Sequence, residues 1–223
     1  MGELILEGRR VVVRSRGSGG PVVVFPTASF GRDPVEGLAA KLESSLGDDA
    51  PYTLLALVSE SWDDDYSPWF MEAGERRFGG HGEDTLKWIT GVLLPYAEEN
   101  LPNHGPLYVA GYSLAGLFAL WAFYETGVFK GVACCSGSLW FEGWDEYIRS
   151  HGCPQGSRVY LSLGGKEPGS GPAPMNTIGD CYRRQKDILS RISGVDLRFE
   201  MNPGGHFSDP DGRVAKGIQF MLG

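Results

Sequence analysis

The sequence predicts an α/β fold: a mostly parallel sheet of about eight strands with helices on both faces. Two observations predict it. Short, nearly continuous apolar runs recur along the chain, which is typical of strands buried on both faces. Helical segments separate these runs almost throughout, which indicates parallel pairing. Because the chain has 223 residues and 42% of them are hydrophobic, we expect one domain with a large core, spanning residues 1–223.

The start of the chain follows a different pattern. Residues 4–6 and 11–13 are predicted to form two strands joined by a turn at Glu7 and Gly8. The segment 16–20, rich in glycine and serine, ends this pair, so we expect an antiparallel beginning to the sheet. The later strands are predicted at residues 22–25, 54–58, 107–110, 132–135, 159–163 and 197–201.

The predicted helices have recognisable ends. Asp33 and Pro34 supply an N-cap and a first-turn proline for a helix that runs through Leu42. A second helix covers residues 84–100, with a kink expected at Pro95. The remaining helices are predicted at residues 114–126, 177–192 and 213–222.

The hexapeptide Gly-Tyr-Ser-Leu-Ala-Gly at residues 111–116 lies between a predicted strand and a predicted helix. A serine hydroxyl becomes an effective nucleophile when it is held exposed beside a base, and a sharp strand-to-helix turn provides that exposure. Such a turn leaves room only for small neighbours, a need that Gly111, Ala115 and Gly116 meet. We therefore predict Ser113 as a nucleophile.

A nucleophilic serine needs a base, and the position of His206 suits that role. It follows two glycines just past the last predicted strand, where the flexible loop can bring its ring toward the turn. The other three histidines have no such location and are interpreted as solvated or capping residues: His81, His104 and His151.

The third catalytic member would be a carboxylate that orients the imidazole, and in such sheets the chain order is serine, acid, histidine. Glu167 lies in the loop after the penultimate strand, where this order places the acid. Its competitors suit other roles, because Asp180 is placed to neutralise the first turn of a helix and Asp196 precedes the last strand at the opposite edge.

Acyl transfer also requires N–H groups that stabilise an oxyanion. Leu114, directly after the serine, is predicted to supply one. The second is expected from the turn after the strand at 22–25, with Ala28 preferred and Thr27 or Ser29 as alternatives. A plain strand-to-helix connection remains an open interpretation of that turn.

Three aromatic residues are candidates for substrate binding. Tyr112 precedes the serine directly, Trp69 follows the strand at 54–58, and Trp140 follows the strand at 132–135. All three emerge at the carboxyl edge of the sheet, where open α/β folds bind ligands. The two tryptophans could instead cover the sheet edge or pack in the core.

Composition excludes several classes of partner. A net charge of −8 disfavours binding to nucleic acid or anionic lipid, and no apolar run reaches membrane-spanning length. Three consecutive aspartates, 63–65, lack the other ligands of a calcium loop, so we expect an acidic turn, with no metal and no cofactor. The start of the chain lacks signal-peptide features, which favours the cytoplasm. Four cysteines fit no zinc spacing and are expected to be free thiols: Cys134, Cys135, Cys153 and Cys181.

Taken together, these motifs resemble the α/β-hydrolase superfamily, and more narrowly the esterase family of esterase D-like and ferric enterochelin esterase-like proteins. The resemblance covers most of the chain and is densest at residues 93–98, 109–117 and 131–140. It implies Ser113 as nucleophile, His206 as base and Glu167 as acid, with some family members working as dyads. The family usually has glycine at the position of Ala115. No long insertion separates Trp140 from Gly156, so we expect little or no lid.

The leading hypothesis from the sequence is a serine hydrolase that cleaves small-molecule carboxylic esters through an acyl-enzyme. A siderophore esterase acting on trilactone-type esters is an alternative that rests on the resemblance alone, and an acyltransferase differs only in the acceptor. A noncatalytic binding protein on the same fold is the alternative from another class.

Overall fold

The computed structural model describes residues 2–29, 31, 33–47, 50–101 and 103–223. Within them, eight strands form one sheet. These strands are β1 (Gly2–Leu6), β2 (Arg9–Arg16), β3 (Val22–Thr27), β4 (Tyr52–Val58), β7 (Leu107–Tyr112), β8 (Gly131–Cys135), β9 (Arg158–Gly164) and β10 (Asp196–Asn202). Two short strands, β5 (Met71–Ala73) and β6 (Arg76–Phe78), form a separate hairpin.

Eight α-helices are found in the described residues, together with a π-helical stretch at Ile89–Leu93 and a 3₁₀ turn at Met175–Thr177. The α-helices are α1 (Glu36–Ser45), α2 (Trp62–Asp65), α3 (Gly82–Trp88), α4 (Leu94–Asn100), α5 (Leu114–Thr126), α6 (Trp144–Ser150), α7 (Ile178–Leu189) and α8 (Pro210–Leu222).

The strand order β1-β2-β4-β3-β7-β8-β9-β10 confirms the predicted α/β class and its mostly parallel sheet. In this eight-stranded sheet, β2 alone is antiparallel to the other seven strands, because it pairs antiparallel with both β1 and β4. The turn between β1 and β2 uses Glu7 and Gly8 at positive φ, 45° and 80°, which suits a two-residue hairpin. The predicted antiparallel start is therefore confirmed.

Each face of the sheet carries its own core, as alternating strand residues require. In β3, Val22 and Val24 pack on the side of α5, whereas Val23 and Phe25 pack on the side of α1 and α8. Helix α5 is buried almost all round, with only Glu125 and Thr126 reaching the surface. The apolar strands and α5 therefore form a packed core next to the loop that joins β7 to α5.

Local details differ from the sequence prediction where proline or tertiary packing decides. A π-helical stretch just before Pro95 interrupts the predicted helix over residues 84–100. Pro95 lacks a backbone N–H, and in a regular α-helix its ring would clash with the carbonyl four residues earlier. Asp33 caps α1 from outside the helix, because its Oδ1 accepts from the N–H groups of Val35 at 2.8 Å and Glu36 at 3.1 Å. The hairpin β5–β6 and the short helices α2 and α6 were not predicted.

The parallel strands end together at one edge of the sheet. Tyr112 pairs with Cys135 at the last positions of β7 and β8, and Gly164 pairs with Asn202 at the ends of β9 and β10. The loops that follow these strands are therefore neighbours, which is where such sheets place their ligands. Between β8 and β9 only the seven-residue helix α6 intervenes, in line with the expected small lid. Among the residues that the structure describes, no helix combines the length and the apolar character needed to span a bilayer.

Candidate active site

Ser113 occupies the turn between β7 and α5 in an unusual backbone conformation, with φ 58° and ψ −124°. A non-glycine residue at positive φ is strained by about 1–3 kcal/mol and persists only where the surroundings hold it. Two backbone hydrogen bonds do so: the Ser113 N–H donates to Cys135 O at 3.1 Å, and the Ser138 N–H donates to Ser113 O at 3.0 Å. The hydroxyl is thereby lifted above the sheet edge.

The turn demands glycine at some positions and not at others. A Cβ atom added to Gly111 would lie 2.1 Å from the carbonyl oxygen of Ala115, and one added to Gly116 would lie 3.0 Å from Gly111 O and from the Cα of Gly137. The methyl group of Ala115 itself is completely buried in the core on the α5 side. The steric limit therefore falls on Gly111 and Gly116, and alanine at 115 is accommodated.

We expect Gly111→Ala to lower the free energy of unfolding by about 3 kcal/mol, because the added methyl group overlaps backbone atoms that cannot move independently. Urea denaturation followed by circular dichroism measures this. Gly91→Ala is the matched control, since a Cβ atom there meets open space. Equal stabilities for the two variants would show that the turn is not sterically tight.

The three residues predicted to act together are in contact. His206 Nε2 lies 3.0 Å from Ser113 Oγ, and His206 Nδ1 lies 2.8 Å from Glu167 Oε2. Because a carboxylate only accepts, Nδ1 carries the hydrogen and Nε2 accepts from the serine hydroxyl. The imidazole is 31% exposed and Glu167 only 5%, so the acid is hidden while the base faces the cavity.

Glu167 is held by donors on both carboxylate oxygens. Its Oε1 accepts from Ser136 Oγ and from the Gly164 N–H, both at 2.7 Å. Burial alone would raise the pKa of this carboxyl, but the hydrogen bonds from His206, Ser136 and Gly164 outweigh it and hold the pKa below its usual value. Glu167 is therefore ionised at neutral pH, as an orienting acid must be.

A buried arginine that sequence reasoning missed also reaches this carboxylate. Arg213 Nη1, in the first turn of α8, lies 3.0 Å from Glu167 Oε1. The same nitrogen donates to the Tyr112 hydroxyl at 3.1 Å, and that hydroxyl donates to the carbonyl of His206. Burial raises the pKa of Tyr112 to about 12, so its hydroxyl stays protonated. No sequence motif marks Arg213, because its burial depends on how α8 packs.

The structure narrows the choice among the predicted oxyanion donors. Leu114 is the first residue of α5, where helix N–H groups lack partners inside the helix. The Thr27 N–H is already bonded to the hydroxyl of Tyr66 at 3.2 Å. Both Leu114 and Ala28 line the cavity beside Ser113. Ser29 is not among the described residues that line it. Ala28 thus keeps its place as second candidate.

A cavity of about 680 Å³ opens in front of Ser113. Its walls are mainly apolar and aromatic, and two of the predicted substrate-binding residues, Tyr112 and Trp140, lie in them. The unpredicted hairpin β5–β6 adds Arg76 and Phe78 to the wall. A volume of this size suits a small organic ligand.

Trp69, also predicted to bind substrate, is not among the described residues that line this cavity. Its indole N–H donates to the carbonyl of Glu142 at 2.8 Å, and its ring packs against Phe141 and Tyr147 with centroids 6.0 and 5.7 Å away. Trp69 therefore ties the segment after β4 to the segment around α6. These contacts favour the alternative interpretation of Trp69, a packing role, while its role in substrate binding stays a prediction.

The acidic run at residues 63–65 forms the short helix α2, and its carboxylates have structural partners. Asp63 makes a two-pronged ion pair with Arg76, and Asp65 accepts from Ser59 Oγ at 2.6 Å. The pair with Arg76 anchors the hairpin β5–β6 beside the cavity. No cluster of three or more potential metal ligands occurs in the described part of the chain.

Comparison with known proteins decides the family. The sequence profile of the family described as "Putative esterase" matches residues 51–206, which is more than half of the chain. The chain belongs to this esterase family. The resemblance inferred from the motifs is thereby confirmed, and the protein is an ester hydrolase. No curated protein sequence matches it.

Solved structures similar to this esterase share its fold at low sequence identity. The IroE-like serine hydrolase from Shewanella oneidensis has a TM-score of 0.81 at 19% identity, over 96% of this chain and 75% of that one. Siderophore hydrolase EstA from Aspergillus nidulans has a TM-score of 0.76 at 15% identity, over 99% and 93% of the two chains. Enterobactin esterase FES from Shigella flexneri has a TM-score of 0.69 at 20% identity, over 97% and 57%. At these identities the likeness establishes the α/β-hydrolase fold.

Proposed function

We propose that the protein hydrolyses small-molecule carboxylic esters through an acyl-enzyme formed on Ser113. The observation that carries the proposal is the unbroken hydrogen-bond chain from Ser113 Oγ through the His206 imidazole to the buried Glu167 carboxylate. A nucleophile, a base and an orienting acid at such distances form the arrangement that serine hydrolases use. A noncatalytic binding protein would have no need for it.

In the first half-reaction, Ser113 Oγ attacks the ester carbonyl carbon while His206 Nε2 takes the hydroxyl proton. The tetrahedral intermediate collapses when the bond to the alkoxy leaving group breaks, and His206 returns its proton to that oxygen. Water then attacks the acyl-enzyme with the same base, releasing the carboxylic acid and free Ser113. Glu167 stays ionised and stabilises the imidazolium in both halves.

The developing oxyanion is stabilised by the N–H groups of Leu114 and Ala28. Leu114 begins a helix of 13 residues, whose N-terminal end carries a partial positive charge. Ala28 follows directly on β3, whose last residue is fixed by the Tyr66 hydroxyl. Both donors are therefore positioned by rigid elements before substrate binds, as oxyanion stabilisation requires.

The cavity favours an uncharged ester with a bulky apolar or aromatic group. Trp62, Phe78 and Trp140 give it broad aromatic walls. The charge of Arg76 is balanced by Asp63, and Asp211 also lines the cavity, so no surplus of positive charge attracts an anion.

Hydrolysis of siderophore esters is the second candidate, favoured by the aromatic walls and by the volume of the cavity. Several proteins of the same fold are named siderophore hydrolases or enterobactin esterases. The balanced charges of the lining favour an iron-free, uncharged trilactone over an anionic iron complex. A substrate screen that includes both forms beside simple esters separates the two candidates.

The two cores on the faces of one eight-stranded sheet support treating residues 1–223 as a single domain. All four cysteines are buried and free of disulfides, which supports a reducing compartment such as the cytoplasm.

The acyl-enzyme is tested by partitioning. We expect nitrophenyl and phenyl esters of one acid to give the same ratio of methyl ester to free acid when methanol competes with water, because both leave the same acyl-enzyme. Product analysis by chromatography measures the ratio. Ratios that change with the leaving group would argue for direct attack by water, and transfer that dominates at low acceptor concentration would identify an acyltransferase.

A further inference from the structure

The guanidinium of Arg213 is a buried cation beside the proposed triad. The side chain is only 2% exposed, and burying a charge is unfavourable unless it is paired and hydrogen-bonded. Its Nη1 satisfies this requirement on the acid side, with Glu167 Oε1 at 3.0 Å and Ser136 Oγ at 2.8 Å. Ser136 in turn donates to the same carboxylate oxygen.

The same side chain also holds the loop that carries the base. Arg213 Nη2 donates to Gly205 O at 2.8 Å and to Pro203 O at 3.2 Å. Through Tyr112, whose hydroxyl accepts from Nη1 and donates to His206 O, it supports a third carbonyl of this loop. One planar group therefore connects the acid with the backbone on which the imidazole is mounted.

We propose that Arg213 is a positioning residue for the esterase reaction: its guanidinium fixes the Glu167 carboxylate and the His206 loop relative to each other. The imidazole then stays aligned with Ser113 Oγ throughout both half-reactions. Only the rigid fork of arginine reaches both partners at once, because a lysine ammonium is a single point on a flexible stem. The proposal rests on the triad proposed above and adds a residue beyond the matched family segment, which ends at residue 206.

A second arginine, Arg158 at the start of β9, contacts the other end of the same helix in a purely structural role. Arg158 Nη1 donates to the carbonyls of Phe220 at 3.1 Å and Met221 at 3.2 Å, and so ties the far end of α8 to the sheet. Arg158 does not line the cavity among the residues described there. It provides a matched control: an arginine that anchors α8 without touching the acid or the His206 loop.

The charge of Arg213 gives the proposal a pH signature. A cation 3.0 Å from Glu167 opposes the binding of a further proton by the Glu167–His206 pair, so we expect its loss to move the acid limb of activity to higher pH. Titratable groups near the pair include Tyr112, Tyr182, Cys135 and Asp211. Burial raises the pKa of the two phenols and of the Cys135 thiol, so these three stay neutral across the relevant range.

The test compares Arg213→Met, Arg213→Lys and Arg158→Met with wild type, measuring kcat, KM and the pH profile of kcat/KM on one nitrophenyl ester. For Arg213→Met we expect kcat to fall about 100-fold, as a displaced catalytic group costs, with KM within about twofold. Its acid limb should rise by about one pH unit. Arg213→Lys should lose kcat to a smaller degree and keep the wild-type acid limb, because the charge remains.

Arg158→Met should keep the wild-type kcat and pH profile whatever its effect on unfolding temperature. The proposal is overturned if folded Arg213→Met keeps the kcat of Arg158→Met, or if its acid limb does not move. If Arg213→Met does not fold, Arg213→Lys decides: a reduced kcat with an unmoved acid limb supports the role, and a wild-type kcat overturns it. Ser113→Ala in the same assay separates the two proposals. Full activity of this variant would contradict the triad itself, whereas the Arg213 variants test only the positioning role.

Discussion

Replacing Ser113 by alanine is expected to lower kcat on a nitrophenyl ester by about 10⁵-fold, because no other group can form the acyl-enzyme. The hydroxyl lies 3.0 Å from His206 Nε2 at the rim of the cavity, so its removal leaves the base without a nucleophile to activate. The residual rate should come only from the oxyanion donors acting on water. Stopped assays at high enzyme concentration measure rates this low.

The variant should fold and bind substrate as the wild type does, since alanine keeps the backbone contacts of Ser113 with Cys135 and Ser138. Ser190→Ala, an exposed serine at the end of α7, is the matched control and should keep full activity. An active Ser113→Ala variant would remove the nucleophile from the proposed mechanism.

Replacing Glu167 by glutamine is expected to lower kcat by about 10³-fold or more, through the wrong tautomer of His206. The hydrogen-bond pattern dictates this. Oε1 accepts from Ser136, Gly164 and Arg213, so the amide NH₂ cannot occupy that position and is forced to face His206 Nδ1. The ring must then carry its hydrogen on Nε2, which can no longer accept from the serine.

Asp180→Asn is the control for this change. Asp180 was a competitor for the role of acid, but it pairs with Arg183 at 2.7 Å on the surface of α7 and should be dispensable. Unchanged turnover in Glu167→Gln would transfer the role to another residue or indicate a Ser–His dyad.

The same variant tests the ionisation of Glu167 in the fold. The pKa of this carboxyl is lower in the folded protein than its usual value, so its ionised form stabilises the fold at neutral pH. That contribution is lost as the pH falls through the folded pKa. We therefore expect the difference in unfolding free energy between wild type and Glu167→Gln to narrow on acidification. A difference that grows at low pH would contradict the lowered pKa.

The sequence predicts most of the scaffold because its signals are local. Apolar runs of strand length and the small residues around Ser113 follow from burial and from the geometry of one turn. The loops after β7, β9 and β10 meet because parallel strands end at one edge, and this brings Ser113, Glu167 and His206 into contact.

The features that the sequence did not predict depend on distant packing. In the sequence, Arg213 cannot be distinguished from the other charged residues of an amphipathic helix. Its contact with the His206 loop depends on how α8 packs. The hairpin β5–β6 has strands of three residues, too short for a periodic signal, yet it supplies Phe78 to the cavity. Trp69 follows β4 at the carboxyl edge of the sheet, as predicted, but its ring packs against Tyr147, a contact that no local pattern encodes.

Labelling with a fluorophosphonate probe, followed by mass spectrometry of the digested protein, tests the serine mechanism most directly. We expect one adduct per folded chain, on the peptide that contains Ser113, with none on Ser113→Ala and slow labelling of Glu167→Gln. No adduct on the folded wild type, or equal labelling of Ser113→Ala, would contradict the assignment of Ser113 as the activated nucleophile.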